Sequence, residues 1–534
     1  MAKQFIGIGV GSRPATGVAM WLKRESFQPA KASAGAQSER RRLSAAIAEN
    51  VAETRTEFEK LDADSRRIMD ALLLIFEDPE LLTLANPFLE EGWDAATALK
   101  LTLEEYAALF SGDADFEARA DDLKALGDRV IARLRGSSLD VEYPSDSKVV
   151  VVARDLTPLD TARFTESVVG VVTELGGPTS HAAIICRSRG IPAVVACGSL
   201  SELAAGSSVL VDPEGNRVVL DGEISDATAA ITFVRVSEQP LIPVRANIGS
   251  LEDARLAAST SAAGVGLFRT EVLYLSEVNE PDVAQQAASY RAIFEAAPPG
   301  EITVRTLDAG SDKPVPFLAM EKEENPALGI RGYRLDSLFP EFLRNQVEAI
   351  AQAASDSRRE IAVMAPMIST VAEARAFADL CKSSGLTRVG IMIETPAIAS
   401  MVTRLRGVVD FLSIGTNDLS QYLFAADRMH PRLGALLNPW QPALLQVVSE
   451  VIARAKAEAI PVGICGESAA TPLMALVFAG MGASSVSVSP AAVGPVEGGL
   501  RSMSISEAKQ LAVDVLAADS PEAALVSARN RAGV

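Results

Sequence analysis

The chain has 534 residues, enough for about three or four domains at roughly 150 residues each, and its 48% hydrophobic and 22% charged composition excludes a disordered or collagen-like polymer. Lys plus Arg total 50 against 69 Asp plus Glu, a net charge of −19. That field repels polyphosphate backbones and argues against nucleic-acid binding, although a local arginine cluster can still hold a small anion.

The opening MAKQFIGIGVGSRPATG carries several glycines and no sustained apolar core, so it does not read as a signal peptide. Residues 1–21 alternate around Gly7, Gly9 and Gly11 and predict a strand or two with turns. From about Ala34 to Arg135 the period changes to three and four residues, which predicts three or four helices punctuated by Pro79, Pro87 and Gly136. Short β-branched runs resume at Lys148 with KVVVVAR, VVGVVTE, IPAVVAC and SVLVDPEGNRVVL. The reading is a small α/β domain over 1–24 and 143–222, with a helical subdomain, 25–142, inserted within it. A weak pattern over 223–241 is taken as a linker.

The remainder, 242–534, is the most regular part. Eight apolar runs begin at Ile242, Gly264, Ile302, Ile361, Arg388, Phe411, Pro461 and Ser485, with amphipathic stretches between them. This is the arithmetic of a (β/α)8 TIM barrel, whose active site lies at the C-terminal ends of its strands. The longest uncharged run, Ser468 to Val496, is interrupted by Gly480, Gly482 and Pro490 and reads as a buried helix and strand, not a membrane span. The cysteines Cys186, Cys197, Cys381 and Cys465 form no CxxC pair, so neither a disulfide framework nor a structural zinc site is expected, and a reducing compartment fits.

The strand ends are chemically loaded. They carry Arg269 and Glu271, Arg305 and Asp308, Glu394, Asn417 and Asp418, and Cys465 and Glu467, with Arg331 and Arg428 in following loops. Charges at the ends of buried strands are costly unless they pair or bind something. One reading is a ring of structural salt bridges. The other is an anion and metal site, in which Glu394 and Asp418 share Mg²⁺ while Arg269, Arg305 and Arg428 clamp a phosphate and a carboxylate. Cys465 is either a small core hydrophobe or a proton-exchanging thiol.

A second candidate site is GGPTSHAA, where His181 opens an apolar helix after a Gly-Gly turn. Thr179 or Ser180 could cap that helix, whose N-terminus would favour a phosphate on His181. The alternative is a histidine packed at a helix start. His430 reads as a surface or loop residue. No Walker A loop, HExxH or complete GxGxxG is present, so a nucleotide-binding domain is not expected.

In these residues the chain resembles Enzyme I of the bacterial sugar phosphotransferase system, the phosphoenolpyruvate–protein phosphotransferases. The resemblance lies in GGPTSHAAIICRSRGIPAVV, GVGLFRTEVLYL, VRTLDAGSDKPVPFL, EENPALGIRGYR, GIMIETPAI, FLSIGTNDLSQYLFAADR and GICGESAA, in order and over nearly the whole length. It implies that phosphoenolpyruvate and Mg²⁺ bind at the barrel mouth, that the phosphoryl group passes to His181, and that pyruvate leaves. The phosphohistidine then donates to the phosphocarrier HPr, received by the helical subdomain. By the same resemblance Glu394 and Asp418 hold the metal. Arg269, Arg305, Arg331, Asn417, Asp418 and Arg428 bind phosphoenolpyruvate, and Cys465 protonates the enolate. The family also implies a homodimer through the barrel, a soluble cytoplasmic protein, and a swing of the histidine domain about the linker.

Three departures stand out: Pro178 where relatives often have arginine, a short linker, and a compact stretch between the fourth and fifth runs. Competing readings are a nitrogen-regulatory paralogue of Enzyme I, a relative of pyruvate phosphate dikinase or phosphoenolpyruvate synthase, and a non-catalytic scaffold of the same fold. The first would normally carry a sensory domain and the second needs a nucleotide-grasping domain. The scaffold would be expected to lose some of the loaded residues.

Overall fold

The computed structural model describes residues 3–533 except 12–13, 23–26, 59–72, 110–113, 137–142, 158–159, 162, 177–182, 184, 187–188, 214, 223–232, 276, 312–313, 322, 429 and 431–432. His181, Pro178 and the first half of the linker therefore lie outside the described residues. The chain divides into two units, Met1–Ala229 and Ala230–Val534.

The first unit is built on an eight-stranded mixed sheet. Its strands are β1 (Gln4–Ile6), β2 (Ile8–Val10), β3 (Ala15–Trp21), β4 (Val149–Ala153), β5 (Val168–Thr173), β6 (Ala193–Val195), β7 (Ser208–Asp212) and β8 (Arg217–Leu220), in spatial order β1-β8-β7-β3-β4-β5-β6-β2. The run Val149-Val150-Val151-Val152 is continuous rather than alternating because both faces of β4 are covered. Val149 and Val151 pack with Val171, Ala183 and Cys186 on one side, and Val150 and Val152 with Val194, Leu200 and Leu203 on the other. The sequence suggests one or two N-terminal strands; the described residues hold three, and the consecutive strands β1 and β2 lie at opposite edges. The chain makes that step at Gly7, where a Cβ would sit 2.5 Å from the Val195 carbonyl oxygen, and Gly9 is equally confined, 1.8 Å from that of Pro213. Both positions require glycine for want of space.

Between β3 and β4 lie α1 (Ala36–Phe58), α2 (Pro79–Glu90), α3 (Ala95–Leu109) and α4 (Ala114–Leu134). Leu43, Ile47, Phe76, Leu99, Leu103, Leu126 and Val130 form their own core, separate from that of the sheet. Asp78 caps α2 and Pro79 occupies its first turn, where a missing N–H costs nothing. Pro87, expected to punctuate, instead lies inside the last turns of α2.

The second unit is a closed parallel barrel. Its strands are β9 (Val244–Ile248), β10 (Val265–Arg269), β11 (Ile302–Arg305), β12 (Ile361–Ala365), β13 (Val389–Ile393), β14 (Phe411–Ile414), β15 (Val462–Ile464) and β16 (Ser485–Val488), with β16 pairing β9 to close the ring. Each coincides with one of the eight apolar runs. Leu267, Ala362, Met364, Met392, Phe411 and Cys465 fill the interior. Gly390 makes room there, since a Cβ would lie 2.6 Å from the Phe411 ring. The uncharged run resolves into the buried helix Pro472–Met481 followed by β16, and among the described residues no helix is long and apolar enough to cross a membrane. Residues 236–241, read as linker, hydrogen-bond instead to the barrel unit: the amides of Val236 and Ser237 donate to Arg501 O and that of Leu241 to Leu500 O, at 2.8, 3.0 and 3.1 Å.

Candidate active site at the barrel mouth

The barrel strands are short, and the chain turns as soon as each ends. Arg269 and Arg305 are the last residues of β10 and β11. Glu394 and Cys465 each follow their strand by one residue. Asn417 and Asp418, expected at a strand end, lie one step further on, in the first turn of α5 (Thr416–Leu423), which starts two residues after β14. All therefore gather on one face of the barrel.

At its centre is Arg331. It lies between the ends of β11 and a short 3-10 turn, pinned by a backbone bridge to Gly310, and is 1% exposed. Its guanidinium donates to Asp308 at 3.1 and 3.2 Å and to Asp418 at 2.9 and 3.2 Å. Asp308 also pairs with Arg305 at 3.0 Å, and Arg305 donates to Glu271. Arg428 approaches Asp418 at 3.6 Å, its own amide held by the Gln421 side chain at 3.1 Å. Burial opposes the charge on both Arg305 and Arg331, but Glu271 and Asp308 around the first, and Asp308 and Asp418 around the second, outweigh it and keep both firmly protonated. Arg269 and Asn417 are exposed at the mouth, and Asn417 Oδ1 accepts from the Glu467 amide at 3.3 Å.

Glu394 is buried under this layer. Its Oε2 accepts from the amide of Met367 at 2.8 Å, a residue held at φ 57°, in the left-handed region. Gly415 leaves the room the carboxylate occupies, for a Cβ there would lie 2.7 Å from Glu394 Oε1. Burial pushes the Glu394 carboxyl up to about 8, with Asp418 and Asp308 adding to it. Cys465 is 6% exposed, its Sγ 3.6 Å from the Ile414 carbonyl oxygen, and burial pushes the thiol up to about 11. It is a neutral thiol at ordinary pH, able to give a proton and poorly suited to be a nucleophile.

A ring of salt bridges is thus present, as the first sequence reading anticipates. It is not saturated. Among the described residues, Glu271 Oε2, Arg305 Nε and Ser420 Oγ are buried and find no hydrogen-bond partner, and native interiors rarely leave such groups unmatched. Glu271, Asp308 and Asp418 already pair with the guanidiniums of Arg305, Arg331 and Arg428. A phosphate meeting these three arginines would therefore find little net positive charge unless a cation came with it. Among the described residues no cluster of three or more His, Cys, Asp or Glu side chains stands ready for a metal. Two carboxylates with crowded negative charge still fit a hard divalent ion that takes its other ligands from substrate and water.

Sequence reasoning overlooked the polar residues beneath this layer. Gln346, Thr270, Gln421 and Asn247 are ordinary residues of helices or strands in the sequence, and only the packing shows what they hold. His430 lies in an exposed loop.

Comparison with known proteins agrees with this architecture. Residues 227–505 match the PEP-binding domain of PEP-utilising enzymes, 145–223 their mobile domain, and 6–119 their N-terminal domain. A phosphoenolpyruvate-protein phosphotransferase of Streptomyces coelicolor is 40% identical over 484 residues, covering 87% of each chain. That of Haloferax volcanii is 37% identical over 86% of each, and that of Geobacillus stearothermophilus 33% identical over 97% of this chain and 96% of its own. A solution structure of Enzyme I, 30% identical, aligns with 41% of this chain and 93% of its own at a TM-score of 0.34. Identity sustained along almost the full length of these relatives, together with the three matched domains, makes this chain a member of the phosphoenolpyruvate-protein phosphotransferase family of PEP-utilising enzymes.

Proposed function

We propose that the protein transfers the phosphoryl group of phosphoenolpyruvate to His181 and from there to a phosphocarrier protein of the HPr type, the first step of a sugar phosphotransferase system. The observation that carries this reading is the buried, unsaturated set Arg305–Asp308–Arg331–Asp418 at the barrel mouth, in a chain 40% identical to a phosphoenolpyruvate-protein phosphotransferase.

Arg269, Arg305, Arg331, Asn417, Asp418 and Arg428 bind the substrate, the guanidiniums taking its phosphate and carboxylate through paired hydrogen bonds. Glu394 and Asp418 would hold Mg²⁺, which supplies positive charge against the phosphate. Fixed arginines aimed at the transferring group need no reorganisation during reaction, which is where most of the rate in phosphoryl transfer arises. The neutral imidazole of His181 attacks phosphorus as the bond from phosphorus to the enol oxygen breaks. The electron pair left on the enolate takes a proton at carbon from the Cys465 thiol, giving pyruvate.

The sheet domain, 1–24 and 143–222, carries the phosphohistidine in this reading. The helical insertion 25–142 receives the carrier, and the barrel serves as substrate domain and homodimer contact. A cytoplasmic location belongs to the same reading, by the family to which the chain belongs. The test is incubation with labelled phosphoenolpyruvate and Mg²⁺ beside a His181→Ala control. Acid-labile label on the wild type alone, passed to added carrier, is the expected result. A folded protein that takes no label returns the scaffold reading, and label persisting in His181→Ala assigns the nucleophile elsewhere.

A further inference from the structure

We propose that Gln346 is a positioning residue that locks the ends of strands β10 and β11, and with them the substrate-binding arginines, into one geometry; the inference rests on the phosphoenolpyruvate reading of the barrel mouth. Gln346 belongs to the helix Pro340–Asp356 and is fully buried, behind the strand ends.

Its amide touches both strand ends at once. Oε1 accepts from the backbone amide of Leu307, between Arg305 and Asp308, at 2.9 Å. Nε2 donates to Thr270 Oγ1, between Arg269 and Glu271, at 3.1 Å, and Thr270 Oγ1 donates in turn to the carbonyl oxygen of Arg305 at 2.8 Å. The second N–H of Gln346 points to Tyr290 Oη at 3.1 Å. The hydroxyls of Tyr290 and Tyr274 are hydrogen-bonded to each other, Tyr274 donates to Gln286 Oε1 at 2.8 Å, and Gln286 Nε2 donates to Pro281 O at 2.9 Å. Thr270, Gln286, Tyr274 and Tyr290 are all buried.

The proton order follows from the ends of this relay. The Leu307 amide can only donate, so Gln346 must present its oxygen there and its nitrogen to Thr270 and the tyrosines. Both N–H groups and the oxygen of Gln346, and the hydroxyls of Thr270, Tyr274 and Tyr290, then all have partners, and satisfied buried networks of this kind are stiff. A hydrocarbon of similar volume would fill the space but leave the Leu307 amide unpaired and release both strand ends. Displacement of a clamp by about 1 Å is enough to cost roughly a hundredfold in rate.

The experiment uses the full chain and pyruvate release. Gln346→Met is expected to lower kcat/KM for phosphoenolpyruvate about a hundredfold. Gln286→Met, which cuts the same network at its far end without touching either strand, is expected to stay within about threefold at a comparable melting temperature. Gln346→Glu adds a readout that packing alone cannot move. Its protonated acid can both accept from Leu307 and donate to Thr270, whereas the carboxylate cannot donate. Its activity relative to wild type at the same pH should therefore rise from pH 9 to pH 6. Tyr274 and Tyr290, the titratable groups facing it, are both pushed up by burial, Tyr290 to about 12, and do not titrate in that range. Equal losses in Gln346→Met and Gln286→Met, or a flat ratio for Gln346→Glu, overturn the inference while the functional reading stands. A wild-type protein that releases no pyruvate overturns both.

Discussion

Asp308 holds two buried guanidiniums at once, Arg305 at 3.0 Å and Arg331 at 3.1 Å, and is itself 1% exposed. Removing its charge leaves both arginines short of a partner where water cannot replace it. Asp308→Asn is expected to lower barrel stability by about 3–5 kcal/mol, read by urea unfolding, and to abolish substrate binding. A loss under about 1 kcal/mol would mean that the arginines are solvated after all. Cys465 presents the reverse situation, a group kept neutral. With its thiol pushed up to about 11, the thiolate fraction at pH 8 is roughly a thousandth. Its alkylation rate should keep climbing well beyond pH 9, followed by mass spectrometry; a plateau near pH 9 would show an ordinary thiol. In the proton-donor role proposed for this thiol, Cys465→Ala should slow pyruvate release by about 10²–10⁴-fold while the protein still accepts phosphate.

At the scale of elements, the barrel strands deliver chemistry because they end abruptly. Glu394 follows β13 directly, and the first turn of α5 carries Asn417 and Asp418 beside it. Two backbone features hold this crowding in place: the left-handed Met367, whose amide fixes Glu394, and Gly415, whose missing side chain is the space Glu394 fills. Gly415→Ala puts a methyl 2.7 Å from Glu394 Oε1. Its affinity for Mn²⁺, used as a paramagnetic probe, should fall about tenfold or more, in line with disturbing a metal ligand's support. Gly494→Ala meets nothing within 4 Å and should leave the affinity unchanged. Equal affinities in both variants would separate Glu394 from the metal.

At the scale of the molecule, the two units have separate hydrophobic cores, and the residues named for substrate and metal all belong to the second. Phosphoenolpyruvate with Mg²⁺ at a hundred times its Kd should then stabilise the barrel unit by about 2.7 kcal/mol. Calorimetry should show one transition move upward and the other stay. A shift of both by the same amount would mean that the units unfold as one. The helical subdomain's own core, from Leu43 to Val130, likewise makes it a self-contained insertion between β3 and β4.

Sequence periodicity by itself determined the barrel. Strand and helix periods depend on residues a few positions apart, and each of the eight runs became a strand. It also determined the charged residues of the mouth, because arginine and carboxylate at the ends of apolar runs are costly enough to be conspicuous. What it could not decide was who pairs with whom. Arg331 stands 23 residues from Asp308 and 87 from Asp418, and only barrel closure brings the three together. Gln346 carries no local signal, since a glutamine in an amphipathic helix is ordinary until its neighbours are known. The step of the N-terminal chain from one sheet edge to the other, and the attachment of 236–241 to the barrel, are likewise tertiary outcomes. Local pattern encodes period and cost, whereas partnership across long loops is decided by packing.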